Sequence, residues 1–387
     1  MLSSIKLKNF KCYQNIDLEL KNLNIFCGIN SSGKSAIIQS IAMFLQSDEV
    51  HKLSFDGALV NLGSYNDVFN RFIDEDESLE IGIGISDNFY NWKGDNNQEC
   101  LYLENSDNKE LKNIKEKINN NYQFIIAERL GPRNNYPSSS SRISKYWLGI
   151  KGEYTAQVLS LLSNSTTFEN IERNEDSVAL QPICEESAPY HHEAFKDPRI
   201  HPKENTNVII RNIEAWLKEI TPDIYISSQY IQEALISYTN FTTEGITYRS
   251  IHVGFGLSYV ISIITALLCT TKGGLVIIEN PEAHLHPRGQ SYLGRLIARA
   301  AKAGIQIILE THSEHIINGI RVAIKLDKNY PKNATLTYFI HKEKNSQPLI
   351  EKLVFDDNAQ LAKWPRGFFD QQIVDLKILM TGKENEE

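Results

Sequence analysis

The sequence has no uncharged apolar run long enough to cross a bilayer; its longest candidate, Leu257 to Thr270, falls short of a span. It does not open on a charged-then-apolar leader, so the expected location is cytoplasmic, with no membrane partner. Paired cysteines are also missing. The five present (Cys12, Cys27, Cys100, Cys184, Cys269) are odd in number and form no C-x-x-C, which argues against a disulfide framework or a zinc ribbon and for a reducing compartment. Positive charge is not in excess. Forty Lys and Arg stand against 48 Asp and Glu, for a net charge of −8, so bulk attraction to nucleic acid is excluded while a local basic face is not. There is no internal repeat, and the stretch 130–222 has no sustained heptad, hence no long coiled coil there. The rest is ordinary globular composition, 387 residues with 41% hydrophobic and 23% charged, enough for one large domain or two moderate ones.

Against that background one run is specific. Gly28-Ile-Asn30-Ser31-Ser32-Gly33-Lys34-Ser35 meets every required position of G-x-x-x-x-G-K-[ST]. The apolar stretch Leu23 to Cys27 before it reads as a strand, and Ala36 to Leu45 after it reads as a helix. A phosphate needs several backbone N–H donors converging on one point, which the start of a helix supplies with a favourable dipole. Asn30, Ser31, Ser32 and Gly33 are the expected cradle. Lys34 brings a point charge to the β- and γ-phosphates, and the Ser35 hydroxyl is an expected Mg²⁺ ligand.

Elsewhere the pattern is mixed α/β. Ile5 to Leu7 and Ile16 to Leu20 alternate as two strands, expected antiparallel. Strand signals follow at 79–85, 99–104 and 122–127. Residues 105 to 121 read as helix or loop, and Asp74-Glu-Asp-Glu77 as a solvated loop. The stretch 130–222 is polar and punctuated by Pro and Ser, with short helical pieces at 155–162 and 208–220. Strands return near 224, including Thr247 to Val253. The expected division is therefore an N-terminal lobe with the phosphate loop over 1–85, an inserted lid or arm over 86–223, a C-terminal lobe over 224–345, and a short module over 346–387.

The second half of the chemistry lies in that C-terminal lobe. Leu275 to Ile278 is a β-branched run closed by Glu279, an acidic residue at a strand end and the expected second Mg²⁺ ligand. Glu282 follows two residues after Asn280. Ile305 to Leu309 is another buried strand, followed by Glu310-Thr311-His312-Ser313, where His312 is placed to donate to a γ-phosphate or to position a water. Gly254-Phe255-Gly256-Leu257-Ser258 opens an apolar helix and forms a second candidate anion nest. Plainer roles suit other residues: His284 and His286 beside Pro287 as loop residues, His191-His192 as surface, and Arg129 and Arg133 as core ion-pair partners or nucleotide contacts. Arg288 is a weaker candidate for a cross-dimer contact, and Trp364, Phe368 and Phe369 read as anchors of the C-terminal tail.

In this order the segments resemble the ABC-type ATPases of the SMC/RecF/OLD-like branch. The likeness rests on Ile5-Lys-Leu-Lys-Asn-Phe-Lys-Cys-Tyr13, the phosphate loop, Ile278-Glu-Asn-Pro-Glu-Ala-His-Leu-His-Pro287 and Glu310-Thr-His-Ser313. Ile317 to Arg321 and Trp364 to Asp370 look like a bacterial subfamily with a C-terminal domain of unknown function, similar to the ATPases of Septu- and PARIS-type anti-phage defence. The resemblance implies an ATPase head with a mixed sheet. It also implies ATP and Mg²⁺ as ligands and a homodimer or higher oligomer, in which Gly254, Gly256 and Ser258 of one protomer cap the ATP held by Lys34 and Ser35 of the other. Further implied partners are a separately encoded effector nuclease and DNA. Two departures stand out. Val253-Gly-Phe-Gly-Leu257 replaces the transporter signature Leu-Ser-Gly-Gly-Gln. Glu279-Asn280 replaces the family's Asp-Glu pair, so the usual general base is gone, because an amide does not accept a proton. Either Glu282 or His312 substitutes, or turnover is slow and the protein is an ATP-locked clamp. Residues 346–387 are too few for the metal-binding nuclease domain of the OLD family, and the signature mismatch argues against a transporter.

Overall fold

The computed structural model describes the chain apart from residues 75, 97, 105–108, 140–145, 163–165, 173–196, 332, 343–345, 357, 362–364, 366 and 383–387. The surface pair His191-His192 and the anchor Trp364 lie outside the described residues. In chain order the elements begin with β1 (Leu2–Phe10), β2 (Tyr13–Glu19), β3 (Leu23–Gly28), α1 (Lys34–Gln46), β4 (Lys52–Ser54), α2 (Tyr65–Val68), β5 (Leu79–Ile85), β6 (Asn88–Gly94) and β7 (Cys100–Leu103). They continue with α3 (Lys109–Asn119), β8 (Tyr122–Ile125), β9 (Tyr136–Pro137), α4 (Thr155–Leu161), α5 (Phe168–Glu172), α6 (Ile209–Lys218), β10 (Tyr225–Ile231), β11 (Ile236–Thr243) and β12 (Ile246–Arg249). The last group is α7 (Phe255–Cys269), β13 (Leu275–Glu279), α8 (Pro287–Lys302), β14 (Gln306–Glu310), α9 (Glu314–Leu326), β15 (Thr335–His341), β16 (Leu349–Leu353) and α10 (Gln371–Thr381).

The central sheet runs β16-β15-β3-β14-β13-β8, parallel except where β16 turns back on β15. Parallel strands are covered on both faces, and here alternate side chains feed two separate cores. Leu275 and Ile277 of β13 and Ile308 of β14 point to one face, where α1 and the antiparallel sheet β2-β1-β5-β6-β7-β4 close over them. Val276, Ile278, Ile307 and Leu309 point to the other face, against α6, α7, α8 and α9. The expected antiparallel pairing of the first two strands is present, with Ile5 opposite Leu18. A third sheet, β10-β11-β12 with β9 on β11, packs on α4.

Among the described residues, part of the region expected as an insertion, 86–223, is built into the sheets of the head. β6 and β7 continue the antiparallel sheet, and β8 forms the edge of the central sheet beside β13. All four residues of β8 are buried, Tyr122 and Phe124 in one core and Ile125 in the other, so its apolar run reflects a strand covered on both faces. Part of 346–387 is built in as well. β16 pairs with β15, and Phe368 packs edge-on against Phe339 with ring centroids 5.3 Å apart. What positions the site is the C-terminal edge of the parallel strands, where β3, β13 and β14 all end.

Candidate nucleotide-binding site

β3 enters the phosphate loop through Gly28, whose φ of 140° and neighbourhood both exclude a side chain, since a Cβ there would lie 1.9 Å from the Ile340 carbonyl oxygen. Gly33, at φ 109°, is the N-cap of α1 and brings no capping side chain, so the first amides of α1 stay open to the cleft. A Cβ at Gly33 would meet the Tyr13 hydroxyl at 2.6 Å. The cleft has a volume of about 390 Å³ and is lined by Asn30, Ser31, Ser32, Gly33, Lys34 and Ser35, with Lys11, Gln39, Glu310 and His312 at its sides.

Lys34 is only 3% exposed, and its ammonium donates to the Gly28 and Ile29 carbonyls at 3.1 and 2.7 Å. Burial lowers its pKa, opposed by the charge of Glu310. The Ser35 hydroxyl lies 3.3 Å from both carboxylate oxygens of Glu310. Glu310 and Glu279 are register partners at the ends of β14 and β13, and strand alternation turns both toward α1. Two buried carboxyls side by side are expensive to ionise together. Burial first, then the Glu279 charge, pushes the Glu310 carboxyl up to about 7, against Lys34 and Ser35. Burial also raises Glu279, partly offset by the Ala127 amide, which donates to it at 3.1 Å, and by Arg129.

Arg129 holds the end of β13. It donates to the main-chain carbonyls of Ile126, Glu279 and Asn280 at 3.1, 2.8 and 2.7 Å, and its guanidinium lies over the Tyr259 ring. Of the two roles open to it, the core contact is the one these bonds describe. Asn280 has φ 44°, left-handed backbone in which Asn is tolerated better than Glu. That is a physical reason for an Asn at this position. Glu282 reaches the end of the next strand and accepts from the Thr311 hydroxyl and the His312 amide, each at 2.7 Å. His312 is exposed at the mouth. Its pKa is lowered by burial and then by Lys34, while Glu282 and a hydrogen bond to the Gly28 backbone raise it.

The glycine pair at the start of α7 does not line this cleft. Gly254 is exposed, with open space where a Cβ would point, whereas a Cβ on Gly256 would lie 2.4 Å from the His284 carbonyl oxygen. Gly256 therefore seats α7 on the loop after β13. Ser258 is 8% exposed and faces inward beside Tyr136, so its hydroxyl does not reach the surface. His284 packs against Phe255 and Tyr259, His286 caps α8, and Arg288 pairs with Glu219 at 3.3 Å, which occupies it within the chain. Among the described residues no group of three or more His, Cys, Asp or Glu is arranged to hold a metal ion. Glu310, the carboxylate nearest Ser35, was not among the expected metal ligands. Its signal, an acid closing an apolar strand, is the same as that of Glu279.

The AAA ATPase domain family matches residues 1–317. The chain belongs to this family. The fold is also that of SMC heads. A SmcHead bound to the C-winged helix domain of ScpA superposes with a TM-score of 0.51 and 12% identity, over 91% of this chain and 97% of that one. An Smc head domain with an extended coiled coil bound to the C-terminal domain of ScpA, derived from Pyrococcus furiosus, gives 0.50 and 10% identity, over 98% and 99%. No curated protein matches the chain. An AAA ATPase domain implies nucleotide binding. The residues suit a phosphate group with a divalent cation. The glycine cradle would be filled by any Cβ, the buried Ser32 hydroxyl has no partner, and a hydroxyl and two carboxyls converge beside them.

Proposed function

We propose that this AAA ATPase domain binds and hydrolyses Mg-ATP between two copies of the chain and thereby controls a partner effector. The carrying observation is the convergence of Lys34, Ser35, Glu310 and Glu279 at the ends of three adjacent strands. Asn30 to Gly33 would hold the phosphates by main-chain donors, Lys34 would swing from its own loop's carbonyls to the β- and γ-oxygens, and Ser35, Glu279 and Glu310 would hold Mg²⁺. The cation would neutralise phosphate charge. Glu282 is the carboxylate left for proton acceptance, fixed by Thr311 and His312, with the His312 ring at the cleft mouth.

Dimerisation is supported by what one chain lacks. Gly254 lies outside the cleft, and the apolar side chains Ile246, Ile251 and Phe255, close to it in sequence, are 55%, 46% and 54% exposed. Such side chains fit against a second copy, bringing Gly254 to the other chain's phosphates. A protein partner is supported by the SMC heads bound to ScpA. The nuclease effector, the part played by DNA and the anti-phage setting rest on the resemblance to Septu- and PARIS-type ATPases. One feature favours a slower, clamp-like version of the same reading, namely the amide of Asn280 where the resemblance expects a general base.

The test is steady-state ATP hydrolysis and light scattering, with and without Mg-ATP, for wild type and Lys34→Ala. Turnover and a doubled mass in the wild type only would support the proposal. A dimer without turnover would favour the clamp, and equal behaviour of the two proteins would overturn both.

A further inference from the structure

A second cavity lies away from the phosphate loop, at the C-terminal ends of α8 and α9. It has a volume of about 640 Å³, within the range of pockets that hold small ligands. Its walls are the C-terminal halves of α8 and α9, the start of the loop to β15, and the segment 201–203 with Trp216 and Glu219. Five cations reach it (Lys203, Arg295, Arg299, Lys302 and Lys328) against two acids, Glu219 and Asp327. His201 adds no charge at neutral pH, because burial against Trp216 pushes it down to about 4. The local excess is three positive charges in a chain of net charge −8.

The two acids are already taken. Glu219 pairs with Lys203 at 2.6 Å and with Arg288 at 3.3 Å, and Asp327 pairs with Lys302. Arg295 and Lys328 have no acidic partner among the described residues. The Arg295 guanidinium lies over the Tyr292 ring, 4.3 Å from its centroid, and its buried Nε has no hydrogen-bond partner. Burial lowers the pKa of the neighbouring Arg299, the Asp327 charge opposes this, and the Arg295 charge lowers it further. Like charges and an orphaned donor gathered in a concave, half-enclosed site leave an unfilled demand for a multiply charged anion.

The structure assigns this cavity, we infer, as a second ligand site, for a small polyphosphate-bearing anion held chiefly by Arg295 and Lys328. Its place in the fold gives such binding a route to the ATPase centre. α8 starts directly after the Glu282 loop and α9 directly after His312, and both end at the cavity, 16 and 13 residues on. At 1.5 Å per residue that is roughly 20–24 Å. The two helices touch main chain to main chain. A Cβ on Gly294 would lie 2.2 Å from the Ile316 carbonyl oxygen, and one on Gly319 would lie 2.0 Å from that of Ser291, so no side chain separates them at these two points.

The test uses sodium tripolyphosphate as the probe and isothermal titration of the full chain in a Lys34→Ala background, which disables the phosphate loop. One site is expected. Its affinity should fall about tenfold on Arg295→Gln and again on Lys328→Gln, the loss typical of one charge-assisted contact, and should be unchanged by Lys112→Gln on an exposed helix. Lys328 is exposed, so its variant keeps the test valid if Arg295→Gln folds poorly. Absence of binding, or equal losses from all three variants, would overturn the assignment. Tighter binding of a single-stranded oligonucleotide through the same two residues would also overturn it, giving the cavity to nucleic acid instead. None of these outcomes depends on whether the protein hydrolyses ATP.

Discussion

Replacing Glu310 by Gln tests the electrostatics of the site without requiring a ligand. The side chain is 5% exposed, faces Glu279, and holds its proton up to about pH 7 instead of the ordinary 4.5. The folded state therefore binds that proton more tightly than the unfolded chain does. Its stabilising effect is complete below pH 4.5 and is lost as pH rises through 7. At about 1.4 kcal/mol per tenfold in proton affinity, forcing the carboxylate to ionise destabilises the fold by about 3 kcal/mol at pH 8, about 2 at pH 6 and under about 1 at pH 5. Glu310→Gln keeps the shape and removes the charge, so it should be more stable than wild type by about those amounts, with some added relief at Glu279. Urea denaturation at pH 5, 6, 7 and 8 reads the difference directly. A variant whose advantage does not grow with pH, or one less stable than wild type at pH 8, refutes the paired-carboxyl reasoning. Millimolar Mg-ATP should then raise the wild-type midpoint more than the variant's, because the cation relieves a repulsion that only the wild type has.

Glu282→Ala leaves the Thr311 hydroxyl and the His312 amide without their acceptor and should destabilise by about 1–2 kcal/mol in chemical denaturation, with loss of turnover. Turnover equal to wild type would remove Glu282 from the proposed chemistry. At Asn280 the left-handed backbone predicts opposite effects of two small substitutions: Asn280→Ala should lose about 1 kcal/mol and Asn280→Gly should lose little, as read by the same denaturation. Equal losses would show that the Asn side chain, and not the backbone, sets the residue at that position.

How legible the site was depended on whether its signals were local. The loop 28–35 lies between a strand and a helix contiguous with it in sequence, so its geometry follows from a few neighbouring residues, and β3, α1 and β13 fall where periodicity places them. The edge strand β8 is different. It is four residues long and owes its place to β13, some 150 positions further on, so a run of Tyr, Gln, Phe and Ile in a polar stretch cannot reveal which sheet it joins. Ser258 illustrates a loss of phase. α7 is apolar almost all round, so nothing in its pattern tells which side meets the core, and only the packed structure turns Ser258 inward and Gly256 onto His284. Glu310 is the instructive case, because its importance comes from a register and not from a motif. Once β13 and β14 pair in parallel with Leu275 opposite Gln306, the acids ending the two strands must lie side by side. Two carboxyls forced together at the mouth of a phosphate loop are stable only if one keeps its proton or a cation sits between them. The same pairing that destabilises the fold at high pH is therefore what would give the proposed site affinity for a divalent ion, and the pH dependence of Glu310→Gln measures the repulsion behind both.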